Sequence, residues 1–168
     1  MESTPKSLRL QIGIFGRTNV GKSSFLNMIA NQDVAVTSHI PGTTTDIVEK
    51  AMELLPVGPV TFLDTAGIDD LSELSEKRIA KTIKVIDRSD IAILILEPNV
   101  WNDYEENIFN ELNKKKIPTI IIINKIDSTQ IHDSFLNKIK ELNKKVILSS
   151  SIDREMRENY IKSIKQAI

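Results

Sequence analysis

Short apolar runs alternate with amphipathic stretches along the whole chain. The runs at 91–96 and 119–123 are continuously apolar, the pattern of strands that are buried on both faces of a sheet. The stretches between the runs carry apolar residues close to helical spacing. This alternation predicts an α/β fold in which helices cover both faces of the sheet. The predicted strands are 8–15, 46–55, 59–64, 91–96, 119–123 and 146–148, and the predicted helices are 21–30, 72–89, 103–116, 133–143 and 154–168.

One turn interrupts the parallel order that this alternation predicts. The sequence Pro-Val-Gly-Pro at 56–59 joins two predicted strands with no helix between them. Strands joined by so short a connection pair antiparallel, because a parallel pair needs a crossover of about a dozen residues or more. The sheet is therefore predicted to be six-stranded and mostly parallel, with one antiparallel hairpin strand.

Length and composition narrow the possible functions. The 168 residues predict one domain at 8–168, preceded by a flexible tail at 1–7. No apolar run is long enough to span a bilayer, so we expect a soluble, cytoplasmic domain without membrane contact. The net charge of −1 gives no reason to expect a nucleic-acid partner. The absence of cysteine excludes a disulfide framework, a cysteine-ligated iron-sulfur cluster and a thiol nucleophile within the chain.

The sequence "GRTNVGKS" at 16–23 has the spacing of a phosphate-binding loop. It lies between a predicted strand and a predicted helix, where backbone N–H groups and the positive end of the helix attract phosphate. Lys22 is expected to contact the β- and γ-phosphates, and the Ser23 hydroxyl is expected to bind Mg²⁺. The alternative is an ordinary strand-helix turn with a chance lysine. The nucleotide contacts predicted here are Arg17, Thr18, Asn19, Val20, Gly21, Lys22, Ser23 and Ser24.

Two further segments have the order expected of a magnesium site and a γ-phosphate site. Asp64 ends a predicted strand and precedes Thr-Ala-Gly, so we expect its carboxylate to hold Mg²⁺ and the Gly67 N–H to meet the γ-phosphate. The loop "PGTTTD" at 41–46 is expected to bring Thr44 onto the metal when a γ-phosphate is present. Taken alone, the threonine run also fits an ordinary solvated loop, but its place between the phosphate loop and Asp64 favours the metal site.

The sequence "NKID" at 124–127 follows a buried strand and predicts the base that is bound. The Asp127 carboxylate can accept hydrogen bonds from guanine N1–H and its amino group, and adenine lacks the N1 proton. Asn124 is expected to support the base, and the stem of Lys125 can lie over its ring. An isolated motif of this kind also fits a plain turn, but four motifs in this order predict GTP. Ser149, Ser150 and Ser151 lie where a backbone N–H is expected to meet the guanine O6, and the sequence leaves open which serine contributes.

These four motifs together resemble the Ras-like P-loop GTPase superfamily, within it the branch of Era, EngA and the tRNA-modification GTPase TrmE or MnmE. The sequences "PGTTTD", "KAMELLPVGPV" and "DTAGIDD" resemble more narrowly the GTP-binding domain of the HydF family, which matures [FeFe]-hydrogenase. The resemblance implies a nucleotide-switch domain of a scaffold protein. It implies as partners the dimerisation and iron-sulfur domains of the full-length protein, the other hydrogenase maturases and the apo-hydrogenase. The iron-sulfur cluster would not lie in this chain.

Ile68 stands where many GTPases carry the glutamine that orients the attacking water. Hydrolysis to GDP and phosphate is therefore expected to be slow, roughly 10⁻⁴ s⁻¹ without assistance. The resemblance implies that K⁺, held by Asn19 and by backbone at 41–45, supplies the missing charge, with Lys22, Thr44, Gly67 and Asn19 as the catalytic set. Loop hydrogen bonding is the alternative role for Asn19. Glu73 or Glu76 could orient the water, although a solvated helix charge explains these two residues better.

The resemblance leaves two other functions open. One is the GTP-binding domain of a tRNA-modification or ribosome-assembly GTPase. The other is a nucleotide-binding module whose hydrolysis has no role of its own.

Overall fold

The computed structural model describes residues 8–30, 47–65, 75–150 and 154–168. Six strands and five helices lie in these ranges, as the sequence predicts. None of the described helices is long and apolar enough to cross a bilayer. The strands are β1 (Leu10–Phe15), β2 (Val48–Leu54), β3 (Gly58–Asp64), β4 (Ile91–Leu96), β5 (Thr119–Ile123) and β6 (Lys145–Leu148), and the helices are α1 (Lys22–Ala30), α2 (Ser75–Arg88), α3 (Asp103–Lys114), α4 (Asp133–Glu141) and α5 (Arg157–Ala167).

The strands form one sheet in the order β2-β3-β1-β4-β5-β6. All pairs are parallel except β2 and β3, which are antiparallel with Val48 opposite Asp64 and Leu54 opposite Gly58. The predicted hairpin is thus confirmed. Gly58, at φ 109°, supplies the left-handed backbone that returns the chain into β3.

The sheet separates two apolar cores. On one face, alternate residues of β1, β3, β4 and β5 pack with α1 and α5, and Ile12, Ile29 and Ile164 are fully buried there. On the other face, the remaining residues of β4 and β5 pack with α2, α3 and α4, and Leu112 and Ile139 are fully buried. Parallel strands covered on both sides bury every position, which explains the continuous apolar runs of β4 and β5.

Several element ends differ from the predicted ones. Helix α3 ends at Lys114 instead of 116 because Lys116 adopts φ 56°, and α4 ends at Glu141 instead of 143 because Asn143 adopts φ 52°. A left-handed residue stops the helical hydrogen-bond pattern. Helix α5 begins at Arg157, after a 3₁₀ turn at Arg154–Met156, so its predicted start at 154 is three residues early. Strand β1 begins at Leu10 instead of 8, α1 at Lys22 instead of 21, and β6 at Lys145 instead of 146.

The parallel strands all point their carboxyl ends at the same edge of the sheet. The predicted phosphate loop leaves β1 there, Asp64 ends β3 there, and the sequence Asn-Lys-Ile-Asp leaves β5 there. Ligands of open α/β sheets bind at this edge. The predicted tail at 1–7 and the predicted site residues Thr44, Gly67 and Ser151 lie outside the described residues.

Candidate functional site

The loop after β1 has a backbone that few residues other than glycine could adopt. Gly16, Asn19 and Gly21 have φ of 154°, 63° and 109°. A Cβ on Gly16 would lie 2.7 Å from the carbonyl oxygen of Ile95 and 2.7 Å from Cγ1 of Val20. The glycine therefore lets the loop pass directly against β4, and α1 begins immediately after the loop. This is the strand-loop-helix context that the phosphate-loop motif requires.

The side chain of Lys22 is buried and turns back over this loop. Its Nζ donates to the carbonyl oxygen of Gly16 and, at 3.1 Å, to that of Arg17. The ammonium group is thereby held beside the loop backbone, next to the N-terminus of α1. Ser23 and Ser24 are exposed in the first turn of the helix. A fixed positive charge, a helix N-terminus and two exposed hydroxyl groups form a site that suits a phosphate chain.

The first turn of α3 also contacts the phosphate loop. The guanidinium of Arg17 forms two parallel bonds to Glu105, Nε to Oε1 at 2.6 Å and Nη2 to Oε2 at 2.9 Å. The hydroxyl of Tyr104 donates to the carbonyl oxygen of Gly16 at 2.9 Å, and the Arg17 guanidinium lies 5.2 Å from the Tyr104 ring centroid. Two neighbouring residues of α3 thus hold two neighbouring residues of the loop.

Burial and hydrogen bonding shift the pKa values of Arg17 and Glu105 in opposite directions. Burial raises the pKa of Glu105, but the hydrogen bonds from Arg17 and from the backbone N–H groups of Asn102 and Glu105 outweigh it, and the net pKa is lowered. The hydrogen bond to Glu105 raises the pKa of Arg17, against the lowering effect of burial. Both groups are therefore held in their charged forms.

Sequence reasoning missed Tyr104 and Glu105. The spacing of Asn102 and Glu105 is that of a capping box, and the structure has both of its bonds, including Asn102 N to Glu105 Oε2 at 2.9 Å. That spacing signals the start of a helix. Nothing in it shows that the same carboxylate reaches a loop 88 residues away.

Asp64 ends β3 at this edge of the sheet and is only 2% exposed. It lies opposite Ile14 of β1, and the next residue, Thr65, donates from Oγ1 to the Ile14 carbonyl oxygen at 2.9 Å. The end of β3 is thereby fixed against the strand that leads into the phosphate loop. A carboxylate and a serine hydroxyl are hard oxygen donors of the kind that Mg²⁺ prefers, so Asp64 and Ser23 fit the predicted metal.

Asn124 joins the two halves of the predicted site. Its side chain is 2% exposed, and Nδ2 donates to the carbonyl oxygen of Val20 in the phosphate loop at 2.9 Å. Its backbone N–H donates to the Leu96 carbonyl oxygen at 2.9 Å. The Oδ1 atom is buried and has no hydrogen-bond partner among the residues that the structure describes. A buried acceptor of this kind is available to a donor that the chain does not supply.

Lys125 and Asp127 follow in a tight turn. Lys125 has φ 61°, and its carbonyl oxygen accepts from the backbone N–H groups of Ser128 and Thr129 at 3.2 and 3.1 Å. Its Nζ bonds Glu97, which follows β4, at 2.6 Å. Asp127 is exposed, so its carboxylate is accessible to a ligand. The turn presents a carboxylate beside an aliphatic stem, as the base-binding prediction requires.

The serines after β6 differ in environment. Ser149 is buried, and its hydroxyl accepts a hydrogen bond from the Tyr160 hydroxyl of α5. Its backbone is also engaged, because its N–H donates to the Ile123 carbonyl at 2.8 Å and its carbonyl accepts from Ile126 at 3.3 Å. Ser149 therefore attaches the end of β6 to the Asn-Lys-Ile-Asp turn. The Oγ of Ser150 is buried and has no hydrogen-bond partner in the described ranges of the chain.

The remaining predicted residues divide into two groups. Thr18 and Asn19 are exposed in the phosphate loop, and Glu76 is exposed in the first turn of α2. Ile68 and Glu73 lie outside the described residues, together with the loop at 41–45. Within the described ranges, no cluster of three or more histidine and acidic side chains has the arrangement of a metal site.

Solved structures share this architecture. The G domain of the T. maritima FeoB iron transporter matches with a TM-score of 0.68 at 21% identity, over 95% of this chain and 98% of that chain. Aquifex aeolicus Era bound to GDP and aluminium fluoride matches with a TM-score of 0.71 at 24% identity, over 94% of this chain and 56% of that chain. Likeness at this level of identity establishes the fold, an α/β GTPase fold with a mostly parallel sheet.

Curated relatives are more similar in sequence. The tRNA modification GTPase MnmE of Mesoplasma florum is 36% identical over 159 residues, and that of Trichodesmium erythraeum is 32% identical over 164 residues. These matches cover 94% and 95% of this chain but only 34% of each relative. The chain thus spans about a third of the length of these relatives. They are MnmE proteins, so the narrower resemblance to HydF stays a prediction.

The family match covers most of the described site. Residues 11–125 match the 50S ribosome-binding GTPase family, a range that includes the phosphate loop, Asp64 and the start of the Asn-Lys-Ile-Asp turn. The chain therefore belongs to the 50S ribosome-binding GTPase family and is a GTPase domain.

Proposed function

We propose that this domain binds GTP with Mg²⁺, hydrolyses it slowly to GDP and phosphate, and acts as the nucleotide switch of a larger protein. The observation that carries the proposal is the bond from Asn124 to Val20. It places the base-reading turn directly against the phosphate loop, so that one nucleotide can lie across both. A switch function further requires that GTP bind one conformation more tightly than another.

The residues have distinct proposed roles at the phosphates. The loop N–H groups from Arg17 to Ser24 and the α1 N-terminus bind the phosphate oxygens, and the Lys22 ammonium pairs with the β- and γ-phosphates. Ser23 and Asp64 would hold Mg²⁺, together with Thr44 from the loop at 41–46, and Gly67 would contact the γ-phosphate. The metal neutralises charge on the β- and γ-phosphates when it is bound.

At the base, Asp127 would accept from the guanine N–H groups, and Lys125 would cover the ring while Glu97 holds its ammonium group. Asn124 and backbone at Ser149 to Ser151 would complete the pocket. The buried, unpartnered Oδ1 of Asn124 and Oγ of Ser150 support this location, because both can receive a donor from a ligand.

We further propose that K⁺ assists hydrolysis. Asn19 is exposed in the phosphate loop and has φ 63°. An amide oxygen there, together with backbone carbonyls at 41–45, would hold a monovalent cation near the phosphates. Such a cation stabilises negative charge that develops in the transition state, which Ile68 cannot do.

The identity of the curated relatives favours a tRNA-modification protein as the larger context. MnmE proteins match over nearly the whole chain, and the chain accounts for about a third of their length. In this candidate function, the GTP cycle of the domain would drive rearrangement of domains that bind and modify tRNA.

A specific segment favours a second candidate, an [FeFe]-hydrogenase maturation scaffold of the HydF kind. The hairpin of β2 and β3 carries the sequence "MELLPVGPV", on which the narrower resemblance rests. Its turn begins at the exposed Leu55, directly after β2, which is the strand at the edge of the sheet. In this candidate function the partners would be dimerisation and iron-sulfur domains, other maturases and the apo-hydrogenase.

One experiment tests the shared proposal and separates the two contexts. Purified protein should release phosphate from GTP in Mg²⁺ and KCl, and Lys22→Ala should remove this activity. The exposed Lys165→Ala serves as the matched control, because Lys165 lies in α5, outside the proposed site. Deletion of the full-length gene should then abolish either a tRNA modification or hydrogenase activity, and loss of neither would contradict both contexts.

A further inference from the structure

We propose that Glu105 is a positioning residue that braces the phosphate loop through Arg17, with Tyr104 as its companion. The inference rests on the proposed location of the phosphates and assigns a role to α3 that neither the motifs nor the relatives provide. Its basis is the contact of two adjacent α3 side chains with Gly16 and Arg17.

Glu105 is the more firmly fixed partner of the ion pair. The Glu105 side chain is 3% exposed, whereas that of Arg17 is 41% exposed. Glu105 is further fixed by the Asn102 N–H, because it belongs to the capping box that starts α3. A rigid, buried partner therefore holds a partly exposed one, so that α3 positions the loop and not the reverse.

The bond geometry restricts the loop strongly. Two parallel bonds fix the plane of the guanidinium as well as its position. The neighbouring carbonyl of Gly16 accepts from both Tyr104 and Lys22, which orients that peptide unit. The brace therefore acts on the backbone at the point where the loop leaves β1.

This restraint matters for a ligand held by backbone N–H groups. Asn19 in this loop has a left-handed φ of 63°, a conformation that costs free energy for a residue other than glycine and persists only when the surrounding structure stabilises it. A loop that is already fixed loses less conformational entropy when it binds phosphate. Release of the brace should therefore weaken nucleotide binding through faster dissociation, with little change in the contacts to the base.

The test is the dissociation rate of mant-GDP from the full-length protein with Mg²⁺. Glu105→Gln keeps the shape of the side chain and removes its charge, and we expect dissociation about tenfold faster than in the wild type, since one disrupted charged pair weakens binding by that order. Arg17→Ala should have a similar effect, and the double variant should dissociate no faster than either single one. Additive effects would contradict a shared brace.

The matched control is Glu106→Gln. It removes the same charge from the same turn of α3, but Glu106 is exposed and accepts from the Trp101 indole, not from the phosphate loop. Its dissociation rate should equal that of the wild type. An equal acceleration in both variants would assign the effect to helix charge and overturn the inference.

Two further measurements distinguish a role of Glu105 in positioning the phosphate loop from a purely structural role. Tyr104→Phe removes one hydroxyl and should also accelerate dissociation, even if Glu105→Gln folds poorly. The fold-change should be the same for mant-GDP and mant-IDP, because the brace acts on phosphates, and a change confined to one base would overturn the inference.

The Lys22→Ala variant distinguishes a failure of this inference from a failure of the proposed function. If that variant binds mant-GDP like the wild type, the phosphate-loop assignment is wrong. The contact of Glu105 with Arg17 would then have no role in phosphate binding. If Lys22→Ala loses binding while Glu105→Gln and Tyr104→Phe dissociate at the wild-type rate, this inference alone is wrong.

Discussion

The side-chain amide of Asn124 donates from Nδ2 to the carbonyl oxygen of Val20 across 2.9 Å. The bond joins two segments that are 104 residues apart in the chain, and both residues are buried. Because water has little access to this place, a carbonyl left without its donor would not be solvated. The bond thus contributes to the fold and to the proposed site at once.

Asn124→Ala should therefore lower both stability and nucleotide affinity. Loss of a buried hydrogen bond costs about 1 to 3 kcal/mol, and we expect the free energy of unfolding in urea to fall by that amount. Affinity for mant-GDP should fall in parallel. Asn113→Ala, at an exposed position in α3, is the control and should change neither quantity. Wild-type stability in Asn124→Ala would show that the bond is not formed in solution.

Alanine substitution at Gly16 and at Gly58 should lower stability by different amounts, because a Cβ causes a steric clash only at Gly16. A Cβ on Gly16 would meet the Ile95 carbonyl oxygen and Val20 Cγ1, both at 2.7 Å, whereas a Cβ on Gly58 would meet nothing within 4 Å. Gly16→Ala should destabilise the protein by about 2 to 4 kcal/mol and abolish GTP binding. Gly58→Ala bears only backbone strain and should cost about 1 kcal/mol. Thermal unfolding measured for both variants checks the ranking, and equal losses would contradict it.

The proposed potassium site can be tested without straining the loop. Asn19 has φ 63°, so Asn19→Ala would add about 1 kcal/mol of backbone strain to the loss of the amide. Asn19→Gly removes the amide alone. We expect it to bind GTP normally but to lose an acceleration in KCl over NaCl of about tenfold, equivalent to about 1.4 kcal/mol of transition-state stabilisation.

Phosphate release measured in the two salts decides the question. Asn19→Asp is the companion variant, because a carboxylate oxygen can still bind the cation and should keep the preference for potassium. Equal rates of the wild type in KCl and NaCl, or a preserved potassium effect in Asn19→Gly, would refute the assignment of Asn19.

The Arg17–Glu105 pair makes stability depend on pH in the acidic range. The folded-state pKa of Glu105 lies below its ordinary value of 4.5, so its contribution is complete above that value and is lost as pH falls through the lower folded value. The stability difference between the wild type and Glu105→Gln should therefore be constant above pH 4.5 and shrink below it.

Urea unfolding at a series of pH values measures this difference. In an Arg17→Ala background Glu105 lacks its charged partner. The stability difference that Glu105→Gln makes in this background should therefore decrease less as the pH falls. A difference that grows as the solution becomes more acidic would have the wrong sign for a lowered pKa and would contradict the pairing.

Periodicity was sufficient to predict the fold. The continuous apolar runs of β4 and β5 and the short turn before Gly58 predict the sheet and its antiparallel pair, because burial on both faces and loop length leave few alternatives. Helix ends were predicted less well. Lys116 and Asn143 adopt left-handed conformations that no apolar pattern indicates. Ile79 has helical spacing with the core residue Ile86 and yet is 57% exposed in α2.

The site was predictable where the contacts are local. Lys22 and Asp127 belong to short motifs whose backbone context is contained in the same segment. Glu97, Tyr104 and Glu105 act on residues far along the chain, and only the assembled sheet brings them close. Sequence distance conceals such pairs, because nothing near Glu105 indicates that its partner is Arg17.

The buried ring of Tyr160 connects helix α5 with two other elements of the fold. It packs edge-on against Phe25 of α1, with centroids 5.2 Å apart, and its hydroxyl bonds Ser149. Nearby, Arg157 donates from Nε to the Ile29 carbonyl at the end of α1, at 3.0 Å. Helix α5 therefore connects α1, the helix that follows the phosphate loop, with the end of β6. A displacement of α5 would act on both of these elements at once.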